Sequence, residues 1–227
     1  MYSSIKLGWL YLKYWIAASN GKGHGIHSPF VFNLITKVFN DDRHFYAFET
    51  IPNDTKAKYT RLLFRLVDFF APQQVVELNA SSNIMSLYLA AGNSNAIVTL
   101  FVESRAMLPK NQQIVELAAL QNIEIVEGKF EDVFMPKGLA ISTMDFIFIN
   151  TKHANASTLR VFNALVPYVK HQSVVAIADI HSSKEREQAW LSIKTHPSVT
   201  LTIDIFFIGL VFFRKEQAEK EHFIIRY

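Results

Sequence analysis

An α/β fold is predicted for this chain: a doubly wound, mostly parallel, seven-stranded sheet that ends in an antiparallel hairpin, with helices ahead of it. Three observations predict it. From residue 73 onward, short apolar runs alternate with helical segments, so that βα units follow one another. The runs at 74–78, 96–102 and 144–150 are almost continuously apolar, as in strands covered by helices on both faces. The runs at 199–206 and 210–213 are separated by only a few residues around Gly209. A parallel return needs a crossover of about a dozen residues or more, so these two pair antiparallel.

Half of the 227 residues are hydrophobic and 19% are charged, which suits a globular chain with a sizeable core. The 19 Phe predict extensive aromatic packing. A net charge of +3, spread along the chain, gives no support to nucleic acid as a partner. There is no Cys, which excludes disulfides, thiolate metal sites and cysteine nucleophiles, and fits a reducing, cytoplasmic setting. No apolar run reaches the ~18 residues of a membrane span. The opening residues are interrupted by Lys6 and Lys13 and carry no cleavage signature, so no integral membrane insertion is expected.

In chain order, residues 4–18 place Leu7, Leu10, Tyr11, Tyr14 and Ala18 on one helical face. Packing on the main body is the favoured reading. A membrane-surface helix is the lesser one, because its basic face is thin. The loop 19–30 carries Gly21, Gly23 and Gly25. Ser28-Pro29 then reads as a helix start, with serine as N-cap and proline in the first turn, for a helix to about Phe39. Another helix spans about 54–70 and stops at Ala71-Pro72. Strands are predicted at 74–78, 96–102, 123–127, 144–150 and 173–179, with helices at about 83–91, 108–120, 156–166 and 183–194. Residues 222–226 are a further candidate edge strand. Residues 1–72 thus form a helical cap or lid and 73–227 the sheet domain, in one compact unit. The N-terminal helices could also make a homodimer contact.

In doubly wound sheets, ligands bind at the carboxyl ends of the strands, near the switch in strand order. The residues predicted there are Glu77, Asn79 and Asn83, then Glu103, Gly128, Asp132, Asn150, His153, Asp179 and His181. Residues 73–103 outline a Rossmann-like, nucleotide-binding βαβ unit, but its first turn lacks the usual glycines. Glu103 lies 20 residues after Asn83, the spacing at which a carboxylate grips the two hydroxyls of a ribose. It also reads as a carboxylate that favours a helix N-terminus. His153 and His181 have the chemistry of a general base near neutral pH; otherwise His153 is a polar loop residue and His181 a cap of the following helix. Asp179 would orient His181 or bind substrate. His24 and His27, with His153 and His181, invite a metal reading. The Gly-rich spacing of the first pair argues against it, and no metal is expected.

The segments GHGIHSPFVFNLI (24–35), VVELNASSNIMSLYLA (75–90), DFIFINTKH (145–153), ADIHSSKEREQAW (178–190) and TIDIFFIGLVFFR (202–214) resemble class I S-adenosylmethionine-dependent methyltransferases. They resemble in particular a bacterial group with a catechol O-methyltransferase-like arrangement. The resemblance spans nearly the whole chain and implies a methyl transfer, from S-adenosylmethionine as cofactor, to a small-molecule substrate. It implies that Asn79 and Asn83 stand where the family carries glycines, with Glu77 supporting that turn. It further implies that Asp132 reaches the adenine amino group, that His27 and Ser28 belong to a loop covering the cofactor, and that His153 stands where the catechol-type enzymes carry a lysine base. Asn150 replaces a carboxylate that binds magnesium in the metal-dependent members, and one carboxylate plus one amide make a poor hard-cation site. Asn tolerates the positive φ for which the glycines serve, but its side chain takes up room, so weakened cofactor affinity is expected. Two other readings share these residues. One is an inactive methyltransferase fold kept as a binding module. The other is an NAD-dependent dehydrogenase, which the terminal hairpin disfavours.

Overall fold

The computed structural model describes residues 1–19, 21–52, 57–80, 83–102, 120–128, 144–150, 157–217 and 219–227. Among these lie eight strands in one sheet, ordered β3-β2-β1-β4-β5-β7-β6-β8. They are β1 (Gln74–Leu78), β2 (Ile97–Val102), β3 (Ile123–Glu127), β4 (Met144–Ile149), β5 (Val169–Ala178), β6 (Leu201–Asp204), β7 (Ile208–Phe212) and β8 (Glu221–Ile224). Strands β1 to β5 are mutually parallel, and β7 runs antiparallel to both β5 and β6. The expected count of seven is therefore corrected to eight. The added strand, β8, pairs parallel with β6 at the sheet's edge.

The hairpin also differs in detail from the expectation. Gly209 is not in the turn but inside β7, where it pairs with Asp204 and Ile177. A Cβ there would sit 2.7 Å from the Trp190 ring, so glycine serves close packing at this point. The turn is Ile205–Phe206–Phe207, shaped by the Asp204 carboxylate, which accepts the Phe206 amide at 2.8 Å.

The described helices are α1 (Ser4–Ala17), α2 (Pro29–Leu34), α3 (Ala47–Thr50), α4 (Ala57–Phe70), α5 (Asn83–Gly92), α6 (Thr158–Leu165) and α7 (Lys184–Thr195). Ser3 and Ser183 cap α1 and α7 with their hydroxyls. Ser28 occupies the N-cap position of α2 and Pro29 its first turn, but the Ser28 hydroxyl makes no capping bond. The helix runs on as a π-helical turn over Ile35–Phe39, closed by Asn40, whose amide and side chain both donate to the Ile35 carbonyl. Ala71, at φ 45, and Pro72 end α4.

The alternating faces of the sheet build two cores. Val75, Val98, Leu100, Phe146 and Phe148 face the apolar sides of α2, α4 and α5. Val76, Leu78, Ile147, Ile149, Val175 and Ile177 face Val161, Phe162 and Leu165 of α6 and Trp190 and Ile193 of α7. Helix α1 lies apart from both. It packs Tyr14 and Ala18 on Phe206 at the hairpin turn, and the Tyr14 hydroxyl donates to the Ile225 carbonyl beyond β8.

Candidate active site

The parallel strands change direction of succession between β1 and β4, so the crevice between their carboxyl ends is the topological switch point. Glu77, Asn79 and Asn150 meet there. Asn79 follows β1 with φ 56, the left-handed conformation for which a glycine would ordinarily be used. Its side-chain amide donates to the Asn150 carbonyl at 3.2 Å, across the switch point. The Asn150 amide in turn donates to the Leu78 carbonyl, and the Ala80 amide to Phe101 on the β2 side.

Glu77 lies fully buried under this turn. One of its oxygens accepts from the Ser86 hydroxyl on α5 at 2.6 Å. The other, Oε1, has no hydrogen bond of acceptable geometry. Burial pushes the carboxyl up to about 7, and Ser86 and the Asn150 amide only partly offset this. At neutral pH the group is thus poised between its neutral and ionised forms.

Asp179 ends β5, also in the left-handed region at φ 54. Its amide donates to the Phe207 carbonyl at 2.6 Å, and its carbonyl accepts from the amide and hydroxyl of Ser182. With Met1, Leu7, His181, Ser182, Phe206 and Phe207 it lines a cavity of about 280 Å³ beneath α1. Of the four non-glycine residues with positive φ among the described residues, Asn79, Asp179 and Phe206 lie at the carboxyl edge. Such strain, of order 1 kcal/mol each, gathers where a site dictates the backbone path.

His181 is held from both sides. Nε2 lies 2.7 Å from Asp204 and Nδ1 3.5 Å from Glu187, and the ring stacks on Phe206. Burial opposes the imidazolium, but the Asp204 and Glu187 carboxylates outweigh it and raise the His181 pKa above its ordinary value. Asp204 also accepts from the Trp190 indole at 3.2 Å, and Glu187 from the Tyr2 hydroxyl at 2.6 Å. With both ring nitrogens turned toward carboxylates, His181 presents neither to a substrate. These bonds make His181 a tie between α7, the hairpin and the start of α1.

The other expected residues are placed differently. Phe30 packs on Phe70 and Phe212, with Arg214 over its ring. Phe70 precedes β1 and Phe212 ends the antiparallel β7, so Phe30 sits toward the amino ends of the parallel strands; just before it, Ser28 is buried and His27 exposed. Asn83 opens α5. Glu103, Asp132 and His153 lie outside the described residues. Among the described residues, no group of three or more His, Asp and Glu side chains could hold a metal. A larger cavity, of about 570 Å³, lies on the flank of α4 and α5 among Phe45, Phe64, Leu87 and Ala91. Its lining is apolar apart from Tyr46 and Thr50, so the polar groups suited to chemistry are at the carboxyl edge instead.

Sequence reasoning missed Asp204, Glu187, Ser86 and Tyr2. Asp204 carried one signal: an acid closing an apolar strand ahead of a tight turn is suited to accept the amide two residues on. The partners of Glu187 and Ser86 are set by tertiary contacts that no local pattern encodes.

No family model and no curated protein matches the sequence. Solved structures do match. An O-methyltransferase from Bacillus cereus in complex with SAH superposes with a TM-score of 0.54 at 17% identity, covering 84% of this chain and 94% of that one. TomG, an O-methyltransferase from Streptomyces achromogenes in complex with SAM, gives 0.57 at 12% identity over 76% and 91%. The SAH-bound Podospora anserina methyltransferase PaMTH1 gives 0.58 at 9% identity over 95% and 98%. Identities of this size show the fold alone, and the fold of this chain is the one these solved methyltransferases share.

Proposed function

We propose that this protein is an S-adenosylmethionine-dependent methyltransferase acting on a hydroxyl of a small molecule. The observation that carries the reading is the polar set Glu77, Asn79 and Asn150 at the β1–β4 switch point, in a sheet with a reversed β7. The described residues fit the cofactor. Asn79 keeps the left-handed turn that lets a backbone approach a ligand closely. The unpartnered Oε1 of Glu77, in a carboxyl with a pKa of about 7, would ionise more readily beneath a cationic sulfonium ligand.

When bound, the cofactor supplies an electrophilic methyl group. The chain's own part is to position and to take a proton. Glu103 would hold the ribose hydroxyls, Asp132 the adenine amino group, and Asn79 and Asn83 the methionine end. His153 would accept the proton of the acceptor hydroxyl. Asp179, at the mouth of the cavity under α1, would orient that hydroxyl by accepting from it, while the aromatic walls Phe206 and Phe207 exclude water. His181 acts here as a positioning residue, since it holds the turn that carries Asp179. Replacement Glu103→Ala tests the ribose assignment: at least about a tenfold loss in affinity for the cofactor is expected, the value of a lost charge-assisted hydrogen bond. Unchanged affinity would remove Glu103 from the site.

A further inference from the structure

Helix α1 is apolar on both sides. Its inner side, Tyr14 and Ala18 with Leu7 and Leu10, is spent on the hairpin turn. On its outer side Ile5, Trp9, Leu12 and Ile16 stand 88%, 55%, 55% and 69% exposed. Their spacing puts them in one stripe along the helix. A stripe of this kind on a folded surface marks a contact with something else.

The helix cannot roll to bury it. Tyr2 is bonded to Glu187, Tyr14 to the Ile225 carbonyl, and the Arg226 guanidinium to the Trp15 carbonyl at 2.8 Å. These three ties span its length. The acids on the inner side are engaged as well, Glu187 by Tyr2 and Asp204 by His181.

What flanks the stripe decides what covers it. Lys6 and Lys13 run along one border, each folded over an aromatic ring, Tyr2 and Trp9. On the other border Arg226 lies 4.1 Å over the Trp15 ring. The first acidic residue of the chain is Asp41. The sequence shows only the thin Lys6–Lys13 edge. The fold adds the second cationic border from the far end of the chain, and so overturns the reason for disfavouring a membrane-surface helix. Apolar side chains between two lysines on one border and an arginine on the other, with Trp at the margins, match an anionic lipid surface, where long basic side chains reach the headgroups and indoles sit at the boundary. A second copy of the chain fits less well. Pairing α1 with itself sets Lys against Lys when antiparallel and Lys against Arg226 when parallel, with no acid on the helix to compensate.

We infer that the outer face of α1, together with Arg226, is a docking surface for an anionic membrane, on which the protein lies without crossing it. No helix among the described residues is long and apolar enough to cross one.

Co-flotation of the full chain with vesicles tests this. Association with phosphatidylglycerol vesicles is expected, and only weak association with phosphatidylcholine. The triple variant Lys6→Glu, Lys13→Glu, Arg226→Glu should lose about a hundredfold or more in affinity, as three cations near a charged surface dictate. Ile5→Ser with Leu12→Ser and Ile16→Ser should abolish flotation, with thermal unfolding unchanged because these side chains are exposed. A measurement on the unaltered protein stands beside the variants: brominated lipid should quench Trp9 and Trp15 and spare the buried Trp190. No flotation with either lipid, equal binding to both, or quenching of none of the three would overturn the proposal. So would a dimer in sedimentation equilibrium that the serine variant dissolves, which would assign the stripe to a second copy.

Discussion

Replacing Glu77 by Gln is expected to stabilise the protein, and only above acidic pH. Burial raises the carboxyl from 4.5 to about 7. The folded state therefore binds the proton more tightly than the unfolded chain does. Stability is greatest below the unfolded value, falls as pH rises through the folded one, and is then lower by about 3 kcal/mol, at roughly 1.4 kcal/mol per unit. Gln keeps the shape, and its carbonyl accepts from Ser86, but it carries no charge. Denaturant unfolding at about pH 4 and about pH 8 should give equal stabilities at the first and a gain of roughly 2–3 kcal/mol for Glu77→Gln at the second. A gap between the two proteins that is the same at both pH values would refute the reasoning. So would a loss at about pH 8, because it would show that the ionised carboxyl is favourably partnered in the fold. If the same variant binds S-adenosylhomocysteine normally but S-adenosylmethionine poorly, the retained carboxylate serves the cation of the cofactor, at the expense of stability.

Further predictions follow from the packing around the hairpin and the first turn. Asp204→Asn removes the charge that holds His181 and keeps the shape, with one oxygen left to accept from Phe206 and an NH2 group facing Trp190 and His181. A raised His181 pKa stabilises below the unfolded value of 6.5 and loses its effect as pH rises through the folded value. The variant should therefore be destabilised by about 1–3 kcal/mol at acidic pH and by less at alkaline pH, as unfolding curves across that range would show. Gly209→Ala should cost about 1–3 kcal/mol and alter the near-ultraviolet signal of Trp190, since its Cβ would press on that ring. Asn79→Gly frees the space under the methionine end and keeps a residue suited to φ 56. Thermal unfolding should change by less than about 1 kcal/mol in stability, while affinity for S-adenosylhomocysteine should rise.

Much of the sheet was legible because its strands are buried on both faces. Apolar runs such as those at 74–78 and 144–150 could end only where the strands end. The reversed strand was legible too, because so short a connection permits nothing but a hairpin. Strand β8 was harder to read: its alternating, half-exposed residues at an edge resemble any polar tail. Gly209 was misread because glycine signals a turn and a close packing contact alike, and only the position of Trp190 separates the two. Glu77, Asn79 and Asn150 were placed at one edge by the rule that ligands gather at strand ends, and the fold joins Asn79 to Asn150 by a hydrogen bond with Glu77 buried beside them. His27 and Ser28 show the limit of that reasoning. The resemblance implies that the glycine loop covers the cofactor, yet Phe30, just after it, packs against Phe70 and Phe212 toward the opposite edge. His181 shows another, since both of its acids are distant in sequence.

Calorimetric titration of the unaltered protein with S-adenosylmethionine, S-adenosylhomocysteine and NAD addresses the central claim most directly. One binding site for each of the first two, none for NAD, and a cofactor-induced stabilisation of about 2.7 kcal/mol at a hundred times the dissociation constant are expected. No heat and no stabilisation with millimolar S-adenosylmethionine or S-adenosylhomocysteine, or equal binding of NAD, would contradict it.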